Sequence, residues 1–328
     1  MAHGRANAGQ FSIQDKIVTI SIRENVKFVI GSRKILSVPR QLIPIHFSLE
    51  QLIGNQPVSL PDGKGAPAEA QGYRIRSAPQ DQYDTILGHY PGYIVGGYQA
   101  YNRYYIDMSG DFDAYMARFS GKTRSTLKRK RRKLADMNGG TLDLRAYHGA
   151  DAMPEFLALA TPLSRRTYQT RLLDAGLPEG EAAAAQMLDL AGRNQSRAWL
   201  LFLNGEAISY LYLTIKDDIL SYDFLGYAPE SAHLSPGTVL QMDALEELFA
   251  EGRFRYFDFT EGEGSHKKMF GTDNIPSCSF FLLKPDIGNR LLMGGVNAFD
   301  GAVAGVKKLA EKSGVLAHAR KMLRGKGQ

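Results

Sequence analysis

The sequence predicts an α+β protein, a mixed sheet flanked by helices, and three observations predict it. Ala198 to Leu203, Ala207 to Ile215 and Ile219 to Tyr227 are apolar runs joined by Asn204-Gly205 and by Lys216-Asp217-Asp218, the pattern of an antiparallel meander. A helix-like run follows from Ser235 to Glu251, with Val239, Met242, Leu245 and Phe249 on one face and a stop at Gly252. Phe254 to Thr260 then reads as a last strand, so strands and helices mix without strict alternation.

In chain order, Lys16 to Ile30 alternates like a strand, with Val26 to Ile30 as a second short one. Pro39 and Pro44 punctuate a run expected to wrap the domain edge. Gly54 to Gly72, with Pro57, Pro61, Gly63, Gly65 and Pro67, reads as a loop. Tyr73 to Arg76 and Tyr93 to Tyr105 are expected as a strand pair. After Asp111 to Phe119 comes the basic segment Lys122 to Lys133, where Leu127 and Leu134 give a helix one apolar edge. Thr141 to Tyr147 reads as a strand, Asp151 to Thr161 and Glu181 to Gly192 as helices. Ser164 to Gln169 reads as a loop whose Arg165, Tyr168 and Gln169 are candidates to line a substrate mouth. From Gly288 to Gly314, Leu292, Val296, Phe299, Val303, Val306 and Ala310 recur every three or four residues, an amphipathic helix. The expected division is 1–118, the basic helix 119–138, a second unit 139–285 and a basic tail 286–328.

Composition narrows the function. The 328 residues are 44% hydrophobic and 23% charged, ordinary for a globular protein. Cys278 is the only cysteine, which excludes an intrachain disulfide and a thiolate metal cluster. The seven histidines are scattered, with no His-Glu-x-x-His spacing, no Gly-x-Ser-x-Gly elbow and no dinucleotide fingerprint, so no metal is expected. The net charge of +6 is uneven: 122–133 carries +8 and 286–328 carries +5, which leaves the remainder at −7. Anionic partners are therefore sought at those two segments. An anionic membrane surface, met through 122–133 and 289–324, is one such partner. No run approaches the roughly 18 apolar residues of a membrane span. The expectation is a cytoplasmic protein, with peripheral contact at the inner face of the cell membrane as the open addition.

Leu234-Ser235-Pro236-Gly237-Thr238 opens the helix with an N-cap serine and a first-turn proline, so its unpaired N–H groups suit a pyrophosphate. This start, together with Asp258-Phe259-x-x-Gly262, Lys267 and the basic run Arg124 to Lys133, resembles the GNAT superfamily, in the acetyltransferase-like branch related to the Fem peptidyltransferases. The resemblance covers about residues 119–284. It implies two GNAT-like halves, acyl-CoA as co-substrate and N-acyl transfer to an amine, with a long-chain sphingoid base or an amino sugar of a surface polysaccharide as acceptor. Leu234, Ser235, Gly237, Thr238 and Lys267 would then hold the CoA. Asp223, Asp258 and His266 are candidate bases, and Tyr222 is a candidate acid for the departing thiolate. As part of a strand, Asp223 is expected to share a face with Ser221 and Leu225. Two alternatives stay open: a Fem-like transferase using aminoacyl-tRNA, and a nucleic-acid-binding protein using the basic helix, nucleic acid being the less expected partner.

Overall fold

The computed structural model describes residues 20–30, 33–54, 60–61, 67–167 and 176–312. Ten strands form one sheet in the order β1-β2-β3-β10-β4-β9-β8-β7-β6-β5. The first five neighbours are β1 (Ile22–Ile30), β2 (Arg33–His46), β3 (Gly72–Pro79), β10 (Asp273–Leu283) and β4 (Ile94–Asp107). The other five are β9 (Tyr256–Asp258), β8 (Ile219–Tyr227), β7 (Glu206–Lys216), β6 (Ser196–Leu203) and β5 (Asp143–Ala146).

The meander is as expected. β6, β7 and β8 pair antiparallel, and Asn204 and Gly205 take the positive φ values, 52° and 80°, that their tight turn requires. Three differences stand out. Residues 33–46 form a continuous strand through Pro39 and Pro44. Each proline falls where β2 has a neighbour on one side only, Pro39 beside β1 and Pro44 beside β3, so a missing N–H can face the open edge. Phe254 to Thr260 is not the last strand: β10 follows it and returns to lie between β3 and β4. Ser164 to Arg166, expected as a loop, are the last turn of α5 (Met153–Arg166), which continues through Pro162.

The helices form four clusters on the sheet. α1 (Leu49–Ile53) and α2 (Tyr83–His89) contribute Leu52 and Ile86 to the core of Tyr73, Ile75, Phe280 and Leu282. α3 (Phe112–Ala117), α4 (Gly121–Met137) and α7 (Pro236–Glu251) pack over Trp199, Leu211, Leu213 and Phe257. The other face of the same strands, with Leu200, Tyr210, Tyr212 and Phe224, is covered by α5 and α6 (Glu181–Gly192). α8 (Ser265–Phe270) is a short turn after β9, and α9 (Ile287–Lys312) is the C-terminal amphipathic helix. α9 sets Leu292, Met293 and Val296 against Val26, Leu42 and Phe281, while Phe299 meets Phe28 edge on at 5.5 Å. Ile287 and Leu291 on the same helix stay 78% and 73% exposed. Among the described residues, no helix is long and apolar enough to cross a membrane, and no group of three or more His, Cys, Asp or Glu side chains could hold a metal ion.

Candidate active site

β8 and β9 are parallel neighbours for only three residue pairs, ending at Ser221 with Asp258. On its other side β8 keeps pairing with β7 as far as Tyr227. Beyond Ser221 the two parallel strands therefore part at the C-terminal end of the strands, and the Thr260 hydroxyl reaches across the splay to donate to the Tyr222 carbonyl at 3.4 Å.

A β-bulge lies at this fork: Leu213 pairs with Tyr222 and Tyr212 with Phe224, so Asp223 is the extra residue. The bulge corrects the expected alternation, because Tyr222 and Leu225 both pack toward the α7 cluster, so Asp223 does not share a face with Leu225. Oδ2 of Asp223 accepts hydrogen bonds from the Thr214 N–H at 2.8 Å and the Thr214 hydroxyl at 2.6 Å. Asp223 is open to solvent, yet protein atoms crowd its flanks, as on the floor of a cleft. That desolvation lifts its carboxyl to about 6; the Thr214 bonds oppose the shift and the charge of Asp258 adds to it. Tyr222 is half-buried between the rings of Phe257 and Phe259, with the ring of His266 at 5.9 Å, and burial pushes its phenol well up. Burial, with Lys267 beside it, lowers His266. Lys267 donates to the Glu261 carbonyl at 2.5 Å, and burial pulls it down to about 8 against the pull of Asp258 and Glu261.

At the same end of the sheet, α7 starts with Ser235 in the left-handed region, φ 57°, and with no cap from its own side chain. The expected serine cap is thus replaced by a backbone turn: the Ser235 carbonyl accepts from the Thr238 N–H at 3.0 Å and from Val239 at 3.3 Å. The amides there are partly engaged rather than bare. Leu234 is buried in the core beneath this turn. Gly237 is buried too, and a Cβ on it would stand 2.8 Å from Leu225 Cδ2 and 3.3 Å from Tyr227, so this glycine lets α7 press onto β8. Thr238 and Val239 open onto a cleft of about 850 Å³ between α3, α4 and α7. Arg124, Lys128, Arg131 and Arg132 line its α4 wall. Arg131 is committed to Asp243 at 2.7 Å, and Arg124 donates to the Ala117 and Phe119 carbonyls.

An acetyltransferase (GNAT) domain family matches residues 121–268, the stretch that holds α4, the meander, α7 and the fork. The chain carries a GNAT-type domain over these residues. Among solved structures it is similar to FemX, at 11% identity over 81% of this chain and 89% of that one, with a TM-score of 0.49. It is also similar to L-PGS from Bacillus licheniformis, at 12% identity over 69% and 73% with a TM-score of 0.41. The GCN5-related N-acetyltransferase from Kribbella flavida gives 10% identity over 66% and 69% with a TM-score of 0.36. No curated protein sequence matches the chain.

Within this GNAT domain the remaining candidates separate. Asp258 is 2% exposed, and its carboxylate is clamped by Arg103, whose Nε reaches Oδ1 at 3.1 Å and whose Nη2 reaches Oδ2 at 2.5 Å. The Thr260 N–H donates to it as well, at 2.8 Å. This buried carboxylate, held by Arg103 and Thr260, braces the fork. Arg165 is on the last turn of α5, exposed and paired with Glu179 at 2.6 Å. Tyr168 and Gln169 lie outside the described residues. Residue patterns alone missed Arg74, Arg76, Arg103 and His46. Their signal was present in Tyr73-Arg74-Ile75-Arg76, where cations alternate with core residues along a strand.

Proposed function

We propose that this protein is an acyl-CoA-dependent N-acyltransferase, and the fork between β8 and β9 is the observation that supports it most directly. An extended chain bearing amides, as the pantetheine arm does, can lie in the splay where β8 and β9 part. The CoA phosphates then fall toward Thr238 and the α4 cations, with Lys267 as a further charge at the mouth. The thioester carbon reaches the bulge, where Asp223 and Tyr222 point to opposite faces. The acceptor amine attacks this carbon, a C–N bond forms, and Asp223 takes the ammonium proton directly or through a water. The C–S bond breaks as the tetrahedral intermediate collapses, and the Tyr222 hydroxyl hands its proton to the thiolate. His266, whose lowered pKa keeps the ring neutral, is the alternative proton acceptor on the Tyr222 side.

The proposed acceptor is an amine such as a long-chain sphingoid base or an amino sugar of a surface polysaccharide. For a lipid acceptor, exposed Ile287 and Leu291 beside Arg290 suit peripheral contact with an anionic membrane. A second reading, aminoacyl transfer from aminoacyl-tRNA, is favoured by the cations of α4 that do not line the cleft, exposed Lys122, Arg129 and Lys133 and half-buried Lys130. Calorimetry with CoA, followed by thiol release from acyl-CoA in the presence of candidate amines, tests the first reading. Absence of CoA binding to the pure protein rejects it, and amide formation from labelled aminoacyl-tRNA replaces it with the second.

A further inference from the structure

The first half of the sheet carries charge where a core is expected. Pairing sets Glu24, His46, Arg74 and Arg76 on one face of β1, β2 and β3, the face that α9 covers farther along. Arg76 is answered twice, by Glu24 at 3.0 Å and Glu261 at 3.5 Å. Arg103 is answered by Asp258. Arg74 is not. It is 9% exposed, its guanidinium lies 4.2 Å over the Phe281 ring, and among the described residues its Nη1 is buried with no hydrogen-bond partner. The surrounding charges do not balance: Arg74, Arg76, Arg103 and Lys267 stand against Glu24, Glu261 and Asp258. His46, half-exposed at the rim, adds no compensating negative charge.

A guanidinium nitrogen buried without an acceptor is costly unless a ligand completes it. Arg76 and His46 beside it are 38% and 50% exposed, so solvent reaches this face next to Arg74. We infer that Arg74 is the anchor of an anion-binding site and takes an oxyanion, a carboxylate or a phosphate monoester, carried by the acceptor. β3 lies four strand steps from β8, which at about 4.8 Å per step puts this anchor on the order of 19 Å from Asp223. The acceptor is therefore elongated, with its charged group held far from the reacting amine. Binding energy gained at such a distance positions the amine without touching the chemistry.

The anion site stands on the orphan arginine alone, whereas its assignment to the acceptor rests on the acyl-transfer reading. The test is accordingly run without acyl-CoA. Thermal unfolding of the full chain is compared in tens of millimolar sodium phosphate, sodium acetate and sodium chloride at matched ionic strength. Wild type is expected to melt roughly 2–4 °C higher in phosphate or acetate than in chloride, and whichever anion raises it more identifies the headgroup class. Arg74→Met is expected to melt at or above wild type in chloride, because an unanswered charge is gone, and to lose the anion response. Arg74→Lys, which keeps the charge and the fold, is expected to need at least threefold more anion for half the response. No anion-specific rise in wild type, an unchanged response in both variants, or an Arg74→Met protein that melts well below wild type overturns the inference. CoA calorimetry on the same variants is expected to be unchanged, so a failure of the donor assignment is read separately.

Discussion

At the scale of residues, two groups with displaced pKa values give opposite readouts. Asp223, lifted to about 6 by crowding, is mostly ionised at neutral pH and protonated in mild acid. If it removes the amine proton, activity falls as pH drops through about 6. Asp223→Asn is expected to lower kcat by roughly 10²–10⁴-fold and to abolish that acid limb, which initial-rate measurements from pH 5 to 8 would register. His148 does no chemistry but governs acid stability. Its ring meets Trp199 edge on at 4.7 Å, its Nδ1 accepts from the Ala198 N–H at 3.4 Å, and burial, with Arg197 beside it, lowers its pKa to about 4. Between pH 6.5 and about 4 the unfolded chain binds a proton that the folded one refuses, so stability falls as pH falls through that window. The full loss is on the order of 3 kcal/mol. His148→Phe keeps the ring and is expected to flatten urea midpoints across this window, while an acid limb as steep as wild type's would show that another group controls it. None of these displacements was legible in the sequence. The types Asp223 and Tyr222 were, but the bulge that sets Tyr222 and Leu225 on one side depends on the pairing of β7 with β8, a tertiary fact.

At the scale of elements, local signals worked where turn chemistry or periodicity was strong. Asn204-Gly205 announced its hairpin, the apolar edge Leu127 and Leu134 announced α4, and the repeat from Leu292 announced α9, because each rests on residues close in the chain. β2 and β10 were missed for opposite reasons: the prolines of β2 look like breaks until its single-sided pairing is known, and β10 owes its place to strands some 170 to 200 residues earlier. The start of α7 reads in the sequence as a phosphate seat. In the structure its Gly237 packs against Leu225 and Tyr227. Gly237→Ala is therefore expected to destabilise the protein by about 1–3 kcal/mol and to weaken CoA binding only through displacement of α7. The cleaner test of the donor groove lies on α4. Lys128→Gln with Arg132→Gln removes two exposed cations that make no ion pair among the described residues. The pair is expected to cost CoA affinity about tenfold at low salt and much less at high salt, with thermal stability unchanged, because their charges act through solvent that salt screens. Equal CoA affinity in wild type and the double variant at low salt would move the phosphates elsewhere.

At the scale of the molecule, the question is whether the two sheet halves are separable. The proposed division places a first half in residues 1–118 and an acyl-CoA unit in 139–285. The sheet cuts across that boundary, since the five strands of the first half are β1, β2, β3, β4 and the late strand β10. Cys278, Phe280 and Leu282 from β10 complete the core with Tyr73 and Ile75, and Phe281 and Leu283 complete the one under α9. Between the halves the chain crosses at β4 with β9, held at Tyr105 to Asp258, Ile106 to Phe257 and Asp107 to Tyr256, and by the buried Arg103 clamp on Asp258. An early segment thus needs the last strand to bury its apolar face, and that strand follows the GNAT-matched residues 121–268 in the chain. The halves are expected to unfold together. Trp199, the only tryptophan, is fully buried in the second half and reports on that half alone, whereas far-ultraviolet circular dichroism follows all ten strands. In urea the two signals should trace the same transition, with one midpoint and one slope. Arg103→Met, which leaves Asp258 buried and unpaired, should cost about 3–5 kcal/mol and shift both signals equally. A tryptophan transition that separates from the dichroism curve, in wild type or in this variant, would mean that the halves fold independently and that the fork is framed by a docked interface rather than by one continuous sheet.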